Sequence, residues 1–125
     1  MKCALITGGS RGIGKAICKQ LAQDSDYHIL INYNSNKTAA LETQKDIESL
    51  GKTAEIIQFN VTDANQVKSA LDAWQEQNKD SIIEVIVNNA GITKDGLFMW
   101  MPPEDWQDVI NTSLNGFYNV TNHLI

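Results

Sequence analysis

Short apolar runs alternate with helix-length stretches along this chain, and that alternation decides the fold class. The runs cover residues 2–7, 28–33, 53–59 and 82–88. Those over 2–7 and 82–88 are nearly continuous in apolar residues, as expected of strands buried on both faces. The connections between them are too long for hairpins. A βαβαβαβα order with such crossovers gives a parallel sheet with helices on both faces. The expected class is α/β, a doubly wound parallel sheet of about four strands.

The helices follow from apolar spacing. Ile13, Ile17 and Leu21 make one stripe on a helix over residues 12–23. Asn34-Ser35-Asn36 turns the chain and caps a second helix, which buries Ala40, Ile47 and Leu50 and ends at Gly51. Asp63 caps a third, with Gln66 three residues later as in a capping box. Val67, Ala70, Leu71 and Trp74 form its inner stripe. A loop follows over residues 92–101, and Pro102-Pro103 then opens a last helix. Along it Trp106, Ile110, Leu114, Phe117, Thr121 and Leu124 recur.

Thr7-Gly8-Gly9-Ser10-Arg11-Gly12-Ile13-Gly14 joins the first strand to the first helix. Glycines let backbone N–H groups approach an anion, and the helix N-terminus adds favourable partial charge. Two phosphate-binding readings overlap. Gly9-x4-Gly14-Lys15 fits the start of a triphosphate-binding loop, but Ala16 stands where a hydroxyl should hold Mg²⁺. Gly8-x3-Gly12-x-Gly14 fits a dinucleotide turn. A second marked loop, Asn88-Asn89-Ala90-Gly91, ends the fourth strand and favours the dinucleotide.

These paired motifs resemble the short-chain dehydrogenase/reductase family, and the resemblance covers the whole chain. Within the family, Asn88 to Leu97 followed by Met101, and Trp106-x-Asp-Val-Ile-Asn-Thr, are similar to the 3-oxoacyl-acyl-carrier-protein reductases of fatty acid synthesis. Acetoacetyl-CoA reductases share these stretches. The resemblance implies a Rossmann domain over residues 1–125, truncated before the catalytic Ser, Tyr and Lys. It implies NADPH-dependent reduction of a 3-oxoacyl thioester carried on acyl carrier protein. It also implies a homotetramer whose contacts use the helix after the Asn-Asn-Ala-Gly loop. The alternatives are a non-catalytic nucleotide-binding module and an acetoacetyl-CoA reductase.

An NAD site usually has an acid about twenty residues past the loop, on the ribose 2′-hydroxyl. That slot here is Tyr33, between Asn32 and Asn34, with no carboxylate beside it. Arg11, in the loop, offers a guanidinium fork for a 2′-phosphate. NADPH (NADP+) is the expected cofactor. The resemblance assigns its binding to Gly8, Gly9, Ser10, Arg11, Gly12, Ile13, Gly14 and Tyr33. It adds Asn60 and Val61 on the adenine, and Asn88, Ala90 and Gly91 on the ribose and nicotinamide side. Tyr33-x3-Lys37 is a Tyr-x3-Lys at the adenosine end and reads as a decoy. In Thr112-Ser113-Leu114, Ser113 stands where the family has a catalytic Asn, so it is the one catalytic candidate.

Charge narrows the partners. The net charge is −5 and the pI about 4.8, with Lys and Arg scattered. Nucleic acid and anionic membranes call for basic patches, so neither is expected. No apolar stretch is long enough to span a bilayer. Cys3 and Cys18 read as reduced buried thiols, and the four Asn-x-Ser/Thr sequons as chance, since no secretory feature is present. His28 and His123 lack partners at metal-ligand spacing, so no metal is expected. The setting that fits is cytoplasmic.

Overall fold

The computed structural model describes residues 1–90 and 101–125. The loop expected over 92–101 lies outside the described residues except for Met101. Four strands form one parallel sheet: β1 (Lys2–Ile6), β2 (His28–Tyr33), β3 (Ala54–Gln58) and β4 (Ile82–Val87). Their order is β3-β2-β1-β4. The chain winds outward from β1 to β3, then crosses back to lay β4 on the other side of β1. The register of β1 with β4 shifts between Cys3 and Ala4, which pair with Ile83 and Val85, so Glu84 is bulged out.

Alternation along β1 supplies both faces of the sheet. Cys3 and Leu5 belong to one apolar cluster with Leu30, Ile57, Phe59, Val67, Leu71, Trp74 and Val120. Ala4 and Ile6 belong to the other, with Cys18, Ala22, Ile29, Ile31, Ala40 and Ile47. The first face is covered by α3 (Ala64–Gln77) and α5 (Gly116–Leu124), the second by α1 (Gly12–Asp24) and α2 (Lys37–Ser49). This is a three-layer α/β/α sandwich, as the crossovers require. Among the described residues no helix is long and apolar enough to cross a membrane.

Caps fall where the sequence puts them for α2 and α3. Asn36 accepts from Ala39 N, and Asp63 accepts from Asn65 N and Gln66 N. The stripe on α1 does not fall as expected. Ile13 is 75% exposed, while Gly14, Cys18 and Ala22 are buried. The inward face is one residue on, and Ile17 and Leu21 flank it, half-buried. Small residues win that face because α1 lies close against the glycine loop. Leu50 likewise sits 40% exposed just past α2.

The last helix is interrupted. α4 (Pro103–Ile110) passes through a π-helical turn at Asn111–Asn115 into α5. The wider turn changes which face points inward. Trp106, Leu114 and Phe117, expected on the inner stripe, are exposed; Gly116 and Val120 are buried instead. His123 pins α5 to α3 through Asp72, at 2.8 Å, and Lys68 reaches the same carboxylate. Those two partners hold the Asp72 carboxyl below its ordinary range.

Candidate functional site

The carboxyl ends of all four strands open into one cleft of about 720 Å³. Its walls include Gly8 and Ser10–Ile13 after β1, Asn32–Asn36 at the end of β2 and beyond it, Phe59–Thr62 after β3, and Asn89 and Ala90 after β4. Asp108, Asn111 and Thr112 close it from the α4 side. The sheet order reverses at β1, and crevices at such points are where doubly wound folds bind ligands.

The glycine loop is held from behind by side chains of other elements. Gly8 has φ +63° and Gly12 φ +59°, a conformation that favours glycine. Gly8 N–H donates to Asn32 Oδ1 at 3.1 Å, and Gly8 O accepts from Asn89 Nδ2 at 3.1 Å. Gly9 N–H donates to Asn32 O at 3.0 Å. Ser10 O accepts from the Thr43 hydroxyl on α2 at 2.8 Å. Thr7 Oγ1 accepts from both Asn89 N and Ala90 N at 3.0 Å, tying the end of β1 to the end of β4.

Two of the glycines serve packing. A Cβ on Gly14 would run into Gly8 O and Asn89 Nδ2, and one on Gly9 would lie 2.9 Å from Cys18 Sγ. Neither lines the cleft. Cys18 lies behind the loop, within 3.7 Å of Gly9 O, and burial pushes its thiol pKa up to about 12.

The mouth of α1 is different. Its N-cap, Arg11, makes no side-chain cap bond, and no acid occupies the first turn. First-turn N–H groups have no acceptor within the helix, so this end is open to an acceptor from outside it. Arg11 is exposed on the cleft wall and forms no ion pair among the described residues. Lys15, one turn on, is engaged by Asp46 of α2 at 3.1 Å.

Of the residues expected to bind a cofactor, Gly8, Ser10, Arg11, Gly12, Ile13, Tyr33, Asn60, Val61 and Ala90 share this cleft. Asn60 Oδ1 is used locally, accepting from Thr62 N at 3.0 Å and Thr62 Oγ1 at 2.8 Å. Asn88 is not in the lining; its Nδ2 donates to Thr121 Oγ1 on α5 at 3.1 Å. Gly91 lies outside the described residues. Ser113 is exposed in the π-helical turn and is not in the lining, whereas its neighbours Asn111 and Thr112 are. Lys37 is not in the lining either, so the structure does not bring the Tyr33-x3-Lys37 pair together there. Among the described residues, no three His, Cys, Asp or Glu come together as metal ligands.

Three contributors escaped sequence reasoning: Asn32, Thr43 and Asn89. Asn32 did carry a signal, a polar residue closing an otherwise apolar strand that is buried on both faces.

The sequence and the fold recur in known proteins. The family model for short chain dehydrogenases matches residues 2–125. The chain is 42% identical over 118 residues to the 3-oxoacyl-[acyl-carrier-protein] reductase of Staphylococcus aureus, covering 94% of this chain and 47% of that protein. It is 39% identical over 120 residues to the acetoacetyl-CoA reductase of Paracoccus denitrificans, covering 96% of this chain and 46% of that protein. Among solved structures, a putative gluconate dehydrogenase from Agrobacterium tumefaciens superposes with a TM-score of 0.90 at 31% identity. A gluconate 5-dehydrogenase from Burkholderia cenocepacia, in complex with NADP and tartrate, superposes at 0.86 and 31%. Each structural match covers 98% of this chain and 47% of the other. The chain thus spans about half the length of the relatives it matches. With a parallel sheet, a glycine loop braced by the Asn88–Asn89 turn, and a family match along nearly its whole length, this chain belongs to the short chain dehydrogenase family.

Proposed function

We propose that this chain forms the cofactor half of an NADPH-dependent reductase acting on 3-oxoacyl thioesters carried by acyl carrier protein. The observation that carries the cofactor reading is the wall formed by Tyr33, Asn34, Ser35 and Asn36. It holds no carboxylate, it lies at the N-terminus of α2, and Arg11 lines the same cleft. A 2′-phosphate there meets a guanidinium and a helix N-terminus and no opposing charge.

The residues fit the group. A cleft of about 720 Å³ is within the range of small-molecule sites. The uncapped first turn of α1 offers N–H groups to the pyrophosphate, with Gly12 leaving its approach open. Asn60 and Val61 would flank the adenine, and Ala90 would face the ribose and nicotinamide side. When bound, NADPH supplies a hydride. This chain's own part is to hold and orient the donor. Proton delivery to the substrate oxygen needs a Tyr poised by a nearby cation, and the family's Ser, Tyr and Lys are matched by no segment of these 125 residues. Ser113, at the family's Asn position, is proposed to keep a place in the proton path through its hydroxyl. The setting is cytoplasmic and the assembly a homotetramer whose contacts use the helical segment after the Asn-Asn-Ala-Gly loop, where Leu114 and Phe117 are exposed.

The similarity to an acetoacetyl-CoA reductase favours a second reading, in which coenzyme A is the carrier. Parallel assays of the full-length protein with acetoacetyl-acyl-carrier-protein and acetoacetyl-CoA separate the two. A higher kcat/KM on the protein-bound thioester supports the first reading; the reverse order transfers the function to the second. NADPH binding without turnover of either points to a nucleotide-binding module.

A further inference from the structure

We infer that Asn32 is a positioning residue for the nucleotide: it sets the shape of the glycine loop and through it the affinity for the pyrophosphate. This rests on the dinucleotide reading of the cleft. Asn32 is polar, 2% exposed, and stands next to last in β2, lining the cleft. Its bonds are divided between two strands. Oδ1 accepts from Gly8 N at 3.1 Å, while Nδ2 donates to Phe59 O at 3.1 Å, with Ile57 O at 3.4 Å. Its backbone carbonyl takes the next loop amide, Gly9 N, at 3.0 Å. One residue therefore claims two consecutive loop N–H groups and ties them to the end of β3.

That division has a consequence for binding. With the amides of Gly8 and Gly9 turned to Asn32, those left for an anion are the ones farther along, at the start of α1. Gly8 holds φ +63° with its N–H on Asn32 and its carbonyl on Asn89. Loss of the Asn32 amide frees the inward N–H of a residue that has no side chain to anchor it. The loop then samples other conformations, and binding must first restore the right one. An apolar residue of the same size fills the space, keeps the backbone bond from Gly9 N and makes none of the side-chain bonds.

The test uses the full-length protein and four forms: wild type, Asn32→Leu, Asn32→Ser and Val67→Ala. Val67 lies in the core on the α3 side and takes part in none of these hydrogen bonds. NADPH Kd is measured by fluorescence titration well below each variant's Tm, and amide exchange at Gly8 is followed without cofactor. The expected result is a rise in Kd of about tenfold for Asn32→Leu, the scale of one lost hydrogen bond, and a smaller rise for Asn32→Ser. Gly8 exchange quickens in both. Val67→Ala lowers Tm with Kd unchanged. Should Asn32→Leu not fold, Asn32→Ser decides. A fall in Tm with unchanged Kd in the Asn32 variants overturns the proposal and leaves Asn32 a structural residue. A wild type that binds no NADPH overturns the cofactor reading itself, and is told apart because Gly8 exchange still responds to Asn32.

Discussion

The side-chain amide of Asn89 donates to the carbonyl of Gly8 at 3.1 Å, joining the two motif loops across 81 residues of sequence. Gly14 is wedged against this bond: a Cβ there would strike both Gly8 O and Asn89 Nδ2. The first helix therefore lies as close to the loop as a backbone without side chain allows.

Replacing Gly14 by Ala tests that closeness. The helix must move away or the bond must break, and overpacking of this kind costs about 1–3 kcal/mol. Urea denaturation should show that loss, although Ala is the better helix former by about 1 kcal/mol. A stability equal to or above wild type contradicts the packing described.

A second close approach lies where α5 meets the loop after β3. A Cβ on Gly116 would come within 2.7 Å of Val61 Cγ2, and Asn119 Nδ2 donates to Val61 O at 2.9 Å. Gly116→Ala is expected to destabilise by about 1–3 kcal/mol. Val61→Ala makes room for the new methyl, so the double variant should lose less than the sum of the single changes. Simple additivity in a double-mutant cycle contradicts the contact.

The Cys18 thiol gives a pH signature. Its pKa rises to about 12 in the folded chain because burial disfavours the thiolate, against about 8.5 in an unfolded one. Between these values the folded state holds the proton and the unfolded state has lost it. The Cys18 contribution to stability is therefore fully present below about pH 8.5 and declines as pH rises toward 12. The difference in denaturation midpoint between wild type and Cys18→Ala, followed from pH 7 to pH 10, should shift against wild type above pH 8.5. A constant difference contradicts the burial of the thiol.

Much of the fold was legible because the strands are short apolar runs and the parallel crossovers leave one class of architecture. Strand positions agree within a residue at each end: the run over 82–88 is β4, Ile82–Val87. The failures share a cause. Periodicity weighs large apolar side chains, but α1 packs through Gly14, Cys18 and Ala22, small residues that permit close approach. The inner stripe of the last helix ran past Asn111–Asn115 because nothing in that stretch marks a π-helical turn in sequence. At the cleft, loop residues such as Gly8 and Arg11 were readable from their motif. Thr43 was not, because a polar residue tied to backbone inside the fold reads in sequence like one facing water, and Asn32 showed only as a polar residue late in an apolar strand.

Recognition of a 2′-phosphate by Arg11 is the proposed basis of NADPH preference in this cleft. Its most direct test is the pair of dissociation constants for NADPH and NADH, measured on the full-length protein and on Arg11→Ala. Wild type should bind NADPH more tightly than NADH, and the variant should lose about tenfold or more for NADPH with little change for NADH. Equal losses for the two cofactors, or a wild type that prefers NADH, contradict it.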